Sequence, residues 1–581
     1  MLGMRMPDGE HRVLTGEHHE IQYELDKIDW SKYAVCAHHT LFDGAILSWI
    51  FNVKPAAWLD TLSMARAMFG PKGNSLAALA KRYNLPDKGN EVVNMMGRRR
   101  ESLLPYEFDR YAAYCLHDVD LCYDLFNLMY EGWYDLESVD MRGKYPIQEL
   151  KIIDRVLRMF TEPKLILNEE KLQAHLNYVQ EKKEKLLAEC SVSKEDLMSN
   201  PKFAEVLRSF GVEPPTKVSP TTGKEAFAFA KTDAGLKALL EHDDLLVQTA
   251  VAARLGVKST LEETRTERFI GIAKRSPLFP VPIAYGNTKT HRLAGTDKIN
   301  MQNVTSRGAE GGKLKSCIEA PPGHVIIDCD SSQIEARVLA WLSGQDDLVE
   351  DFRTGVDVYC KMASRIYGRE VTKEDKELRF TGKTVILGAG YGTGGGKLQL
   401  TLRNATPPME VSLGECERII SVYRTTYPAI KRLWTQANRA IQAMHSDQGM
   451  WLGREGVVWI DGKCGVKMSS GLYIQYPQLH KSGEEWQYKD VDGMVRLYGA
   501  KLVENVVQGL ARIIVMQQML KVAKRYYVTL PVHDAVAAVV PEEEAEEARK
   551  YVEECMRWVP QWAAGCPINC ESGMGKNYGE C

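Results

Sequence analysis

The stretch His324–Arg337, HVIIDCDSSQIEAR, decides the fold, because it runs an apolar strand into acids and then into a helix. Val325, Ile326 and Ile327 form the short apolar run of a buried strand. The strand is expected to end at Asp328-Cys329-Asp330, with a helix beginning at Ser331 or Ser332. A carboxylate at a strand's end, beside a helix N-terminus, is well placed to hold a hard cation such as Mg²⁺. Read alone, the segment favours a plainer account: Asp330 caps the helix, or Ser332 and Glu335 form an S-x-x-E capping box.

Two distant stretches change the balance. In RFTGKTVILGAGYG, Arg379–Gly392, the residues Arg379, Lys383, Leu387 and Tyr391 stand four apart. On a helix each step of four advances about 40° past a full turn, so they form one slowly winding ridge. Arg379 and Lys383 are like charges at i,i+4, mildly unfavourable unless an anion sits over them or upstream acids such as Asp375 neutralise them. The glycines after Leu387 suggest close approach or bending, but no G-x-x-x-x-G-K-[ST] phosphate loop is present. In VHDAV, Val532–Val536, His533-Asp534 sits between two apolar β runs, where a hairpin turn is the plain reading. Two carboxylates for divalent metal and a cationic helix for phosphates are what nucleotidyl transfer needs.

The bulk numbers permit this. A chain of 581 residues exceeds one hydrophobic core, so roughly three to five domains or subdomains are expected. It is ordinary globular material, 44% apolar and 26% charged, and its net charge of −3 leaves nucleic-acid binding to local basic patches. Thirteen scattered Cys suggest a reducing compartment, and Cys566 with Cys570 lacks the second pair of a zinc site. No signal-peptide core or membrane-length apolar run is present, so a cytoplasmic location is expected.

Along the chain, strand-like YAVCAHH and AAWLDTL alternate with helical runs over the first 160 residues, as in an α/β domain. A charged helical region follows from Leu165 to Glu241, broken by the Pro- and Gly-rich GVEPPTKVSPTTGKEAF, a loop or tip. Helices dominate from Trp341 to Met450, and hairpins are expected over Gly453–Tyr498. The class is therefore α/β multidomain.

Taken together, the three stretches resemble the polymerase motifs of family A DNA polymerases, the polymerase I type, particularly their phage-encoded relatives. D-x-S-x-I-E-x-R is carried by Asp330, Ser332, Ile334, Glu335 and Arg337; the second motif by Arg379, Lys383, Leu387, Gly388, Tyr391 and Gly392. H-D-E is carried by His533 and Asp534, with Ala535 replacing the Glu. HRLAGTDKINMQN at His291–Asn303, KSTLEETR at Lys258–Arg265 and ENVVQGLAR at Glu504–Arg512 resemble further family segments.

The resemblance implies a right-hand fold: thumb over 161–265, palm over 266–345 and 501–581, fingers over 346–500. It implies Asp330, Asp534 and the Ser331 carbonyl as ligands of two Mg²⁺ ions, and Arg379 and Lys383 as triphosphate ligands. Tyr391 would lie near the templating position, Leu387 against the incoming sugar, and Glu335 would exclude a 2′-hydroxyl. Arg292 and Gln508 would touch the minor groove of primer-template DNA, and His533 and Arg337 would belong to the substrate site. Glu504 stands where the family has Asn, with Asn505 one later. The implied protein is a monomer that uses dNTPs, works with replication accessory proteins and serves phage replication.

Residues 1–160 resemble a ribonuclease-H-like 3′→5′ exonuclease domain only in part. AHHTLFD supplies Asp43, with His39 where Asn is usual, and YCLHD supplies Tyr114 and Asp118. The opening D-x-E strand has no counterpart, because Asp8-Gly9-Glu10 reads as a turn, so proofreading is expected to be absent. A single-subunit RNA polymerase and a non-catalytic nucleic-acid-binding remnant are the competing readings. Glu335 opposes the first, and the four retained charges oppose the second.

Overall fold

In this computed structural model the described residues are 1–581 without 133–143, 189–191, 219–223, 231–232, 240–244, 259–260, 298, 305–311, 404, 406–408 and 492. The chain opens on a hairpin in which β1 (Leu2–Arg5) pairs antiparallel with β2 (His11–Leu14). Pro7-Asp8-Gly9-Glu10 is its turn, closed by the Gly9 amide on the Met6 carbonyl at 2.9 Å. Gly9 has φ of 91°, a value glycine adopts without a Cβ clash. β3 (Ala34–Ala37) then runs through α1 (Thr40–Ala45) to the parallel β4 (Ala57–Asp60). No strand among the described residues joins these two pairs into one sheet, and β1 and β3 both pack on α2 (Pro105–Glu131).

α3 (Ile147–Thr161) leads out of this region. Leu150, Ile153 and Leu157 give it an apolar stripe at helical spacing, and it packs between β4 and the second half of the chain. α4 (Glu169–Ala188) begins a helical arm. Residues between Leu197 and Ala253, among them Phe203, Leu207, Phe229 and Val251, form a core separate from the main one, inside the stretch expected to be the thumb. The Pro-rich tip expected there is flanked by a short hairpin, Thr216–Val218 with Glu225–Phe227; residues 219–223 lie outside the described residues. The second and third residues of KSTLEETR, 259–260, also lie outside them.

β5 (His324–Ser331) is a central strand of the largest site-bearing sheet. After it come α5 (Ile334–Ser343), α6 (Val358–Tyr367), α7 (Lys376–Ala389) and α8 (Pro428–His445). Small hairpin sheets follow, beginning with β6 (Gly449–Trp451) and β7 (Trp459–Asp461). α9 (Gly499–Val522) leads into the hairpin of β8 (Tyr527–Val532) and β9 (Ala535–Pro541), and α10 (Ala545–Arg557) into β10 (Cys570–Gly575). The antiparallel order is β8-β9-β5-β10, with α9 and α10 packed on the sheet. Side chains alternate along β5, so Cys329 is buried toward α10 while Asp330 stands exposed on the other face. No helix among the described residues is long and apolar enough to cross a membrane.

The expected start of α5 is corrected. Pairing continues through Ser331, and the Ser332 amide donates to the Asn569 carbonyl at 2.9 Å, so the helix begins only at Ile334. Gln333, at φ 52°, occupies the N-cap with no side-chain cap, and the Ser332 hydroxyl finds no partner among the described residues. Neither Asp330 nor a Ser332–Glu335 box caps this helix, because sheet hydrogen bonds claim the preceding backbone.

Candidate active site

Two carboxylates meet where β5 and the β8–β9 turn come together. The Ser331 amide donates to the Asp534 carbonyl at 3.0 Å, which fixes the turn against the end of β5. Gln302 clamps the turn from outside, accepting the His533 amide at 2.5 Å and donating to the Pro531 carbonyl at 2.9 Å. Gln333 and His533 (φ 53°) both sit in the left-handed region, beside the two acids. Such conformations cost about 1 kcal/mol or more each and persist only when their surroundings impose them.

The electrostatics of this corner are unbalanced. Asp330 reaches solvent on one side; the water its carboxyl loses to the protein on the other, then Asp534 and Glu571, push it up to about 6. Burial also raises Asp534, and it lifts Asp328 to about 6. No cation lies within 4 Å of Asp330 among the described residues. Asp330 has Ala535 opposite it on β9 and Glu571 opposite it on β10. Glu571 was not foreseen from the sequence, because its strand reads CESGMG and lacks any alternating apolar pattern.

The cationic ridge forms as expected. α7 buries Thr381, Gly382, Val385, Ile386 and Ala389 and leaves Arg379, Lys383 and Leu387 on its open side, with Leu387 41% exposed; the helix ends at Ala389, so Tyr391 falls in the turn beyond it and not on the expected helical ridge. A Cβ on Gly382 would lie 2.1 Å from the Tyr359 carbonyl, so glycine is what lets α6 and α7 pack so closely. The acid that neutralises the ridge is Asp357, not Asp375, which pairs with Arg369 instead. Arg379 Nε donates to Asp357 Oδ2 at 2.9 Å, while Asp357 Oδ1 caps α6 through the Tyr359 and Cys360 amides at 3.0 Å each. The Tyr359 ring lies 5.3 Å from the Arg379 guanidinium and 5.9 Å from the Lys383 ammonium.

Glu335 links the two halves of the site. It is ion-paired with Arg292, and the Tyr391 hydroxyl donates to it at 3.4 Å. Gln508 bonds Glu504 one turn back on α9, at 3.4 Å, whereas Asn505 is buried and donates to the Tyr476 hydroxyl at 2.8 Å. Arg337 is a correction: it is 6% exposed and donates to the carbonyls of Ser332, Phe352 and Pro567, so it braces α5 from within and does not face a substrate.

In the N-terminal region Asp118 is ion-paired with Lys88, which also donates to the Tyr114 hydroxyl. Asp43 stands exposed on α1. His39 caps α1 at φ 75°, its amide donating to Asp60 Oδ1 at 2.8 Å. Asp60, 2% exposed, also accepts from the Thr40 and Ser63 amides at 3.1 and 3.0 Å. It holds the ends of β3 and β4 together, a role the sequence signals only as an acid closing an apolar run.

Comparison with known proteins agrees with this geometry. The DNA polymerase family A model matches residues 168–580. The thermostable DNA polymerase I of Thermus filiformis is 28% identical over 297 residues, 50% of this chain and 31% of that one. The DNA polymerase of Bacillus phage SP02 is 24% identical over 96% of this chain and 91% of its own. The chain thus matches less than a third of the bacterial relative's length but nearly all of the phage protein's. Among solved structures, the POL domain of Pol1 from M. smegmatis, in complex with DNA primer-template and dNTP, superposes with a TM-score of 0.67. It is 19% identical and the match covers 99% of this chain and 92% of that one, a likeness of fold. With its acids, its cationic helix and most of its length accounted for by one family model, the chain belongs to DNA polymerase family A.

Proposed function

We propose that this chain is a DNA-templated DNA polymerase that extends a primer 3′ end with dNTPs. It would act as a monomer in the cytoplasm, in phage DNA replication and with accessory proteins, and the thumb, palm and fingers would follow the boundaries given above. The observation that carries the reading is the meeting of Asp330 with Asp534 through the Ser331–Asp534 hydrogen bond, together with the Arg379–Lys383 ridge. The test is primer extension with Mg²⁺, comparing dNTPs with NTPs. Equal use of NTPs would move the chain to the RNA polymerase class.

The donor set suits magnesium. Asp330 and Asp534 offer hard oxygens, and among the described residues Asp330 has no counter-cation within 4 Å. Among the described residues no group of three or more His, Cys, Asp or Glu is gathered to hold an ion alone. That agrees with an ion that takes one or two carboxylates and completes its shell with water and substrate phosphates. Two such ions, held by Asp330, Asp534 and the Ser331 carbonyl, would activate the primer hydroxyl and neutralise the leaving pyrophosphate. Arg379 and Lys383 hold the triphosphate and stabilise the charge that develops on it. Tyr391 stands at the templating position, and Glu335, fixed by Arg292 and Tyr391, blocks a 2′-hydroxyl. Arg292 and Gln508 meet minor-groove acceptors, whose positions vary little among base pairs.

Three results are expected. Leu387→Phe adds ring surface beside the incoming sugar and should lower the dNTP KM by about threefold to tenfold; an unchanged KM would remove Leu387 from the contact. Asp357→Asn keeps the cap on α6, since Asn caps as well as Asp, but frees Arg379. The dNTP KM should rise about twofold to fivefold with kcat and melting temperature unmoved. A fall in KM would mean that Asp357 competes with phosphate for the guanidinium rather than orienting it.

Proofreading should be absent. Asp118 already carries Lys88, which leaves Asp43 and too few free carboxylates to neutralise two divalent ions. A 3′-mismatched primer incubated without nucleotides should stay intact. Degradation that Asp43→Ala abolishes would overturn this.

A further inference from the structure

Behind the site, at the end of α5 remote from Glu335, lies an open cavity of about 590 Å³. Ser343 and Gly344 form one wall, Arg432, Gln436 and Arg439 of α8 another, and Gly453-Arg454 after β6 the third. The three α8 residues stand at i, i+4 and i+7, so they share one face. Trp434 points elsewhere, donating to the Gly390 carbonyl at 2.9 Å, which places the cavity on the side of α8 away from that contact.

The cavity is built and positively charged. Gln436 donates to the Trp451 carbonyl and accepts the Gly453 amide, each at 3.1 Å, which fixes β6 to α8. Arg454 is held by the Trp341 carbonyl at 2.6 Å. Its nearest acid is Asp346, 3.6 Å away and 85% exposed, too well solvated to cancel much charge. Arg432 and Arg439 have no acid within 4 Å among the described residues. Trp451, whose carbonyl Gln436 holds, adjoins the cavity without lining it; it is 37% exposed, its ring braced edge-on by Trp459 at 4.9 Å.

We infer that this cavity binds single-stranded nucleic acid, with phosphates on Arg432, Arg439 and Arg454 and a base on Trp451. Arginines beside an exposed, braced aromatic ring are what a flexible strand uses, phosphate by charge and base by stacking. A duplex keeps its bases stacked and would leave the indole idle; an acidic peptide would use the arginines and not the ring. The inference stands apart from the Asp330–Asp534 chemistry.

The test is binding of fluorescent oligothymidylate, followed by anisotropy across a salt series. An excess of blunt hairpin duplex occupies the polymerase cleft. Arg432→Ala with Arg439→Ala should make the slope of log K against log salt shallower by about 1.4, two phosphates' worth for a single strand. The doubly Lys variant should keep the slope, which separates lost charge from lost folding. Trp451→Ala should weaken binding about tenfold, and 5-iodouracil placed in the oligonucleotide should photo-crosslink to Trp451. An unchanged slope in the Ala variant with no crosslink would overturn the inference. So would a polyglutamate peptide that binds these arginines where oligothymidylate does not. Failure of the hairpin to bind would count against the polymerase reading alone.

Discussion

Alanine at Asp330 or at Asp534 should each lower primer extension by about 10³-fold or more, the equivalent of about 4 kcal/mol in the barrier. The dissociation constant for primer-template should move far less, because binding to a phosphate backbone is spread over many cations. Asp330 lies on β5 and Asp534 in the β8–β9 turn, so losing either leaves its partner facing the ions without the opposing ligand. Asp330→Asn is the sharper variant. It keeps the shape of the end of β5 and removes Asp330's own charge, whose repulsion by Asp534 and Glu571 helps, after burial, to push that carboxyl up to about 6. Stability of the metal-free protein should hold or rise while activity disappears. Extension near the wild-type rate in either alanine variant would remove the metal assignment.

The second large effect concerns a buried ion pair remote from the chemistry. Arg512 of α9 donates to both oxygens of Glu149 of α3, at 2.6 and 2.8 Å, and the Tyr285 hydroxyl adds a third bond at 2.6 Å. Both side chains are almost wholly buried, 3% and 2% exposed. Burial alone would raise the Glu149 carboxyl; Arg512 and Tyr285 outweigh it and hold the group below the usual range. Glu149→Ala should therefore cost about 3–5 kcal/mol, since it strands a guanidinium whose Nε and Nη2 already lack partners among the described residues. Replacing both residues by Leu and Met should recover most of that loss. A depressed carboxylate contributes stability above its unfolded pKa and loses it as pH falls through the folded value, so the wild type should weaken in acid and the double variant less so. Denaturant titrations of the three proteins at pH 7 and pH 4 decide this; equal midpoints for wild type and Glu149→Ala would refute it.

Asp330, Asp534 and the α7 ridge were legible because each pairs a rare residue choice with a strict local spacing. What escaped reading depends on contacts between distant segments. Gln302 clamps the Asp534 turn from more than 200 residues away, and nothing within MQN announces it. Asp357 belongs to Arg379 only because Gly382 lets two helices close together. Arg337 misled for the converse reason: its place in a motif suggested a ligand, while the fold spends its donors on buried carbonyls. The capping box failed because a strand outcompeted a helix start for the backbone of Ser331 and Ser332. Asp60 and Asp330 share one local pattern, an acid closing an apolar strand; one is a buried clasp and the other an open carboxylate.

The sheet order also dictates a sequence of events during synthesis. The core between Leu197 and Ala253 closes over contacts that are near in the chain, so the arm can consolidate as soon as it emerges. β5 must wait. Its neighbours are Ala535–Pro541 and Cys570–Gly575, and until both have been translated its two edges have no partners. Through more than 200 residues of elongation, Val325–Ile327 remain an exposed apolar segment of high β-propensity, the kind of stretch a chaperone covers.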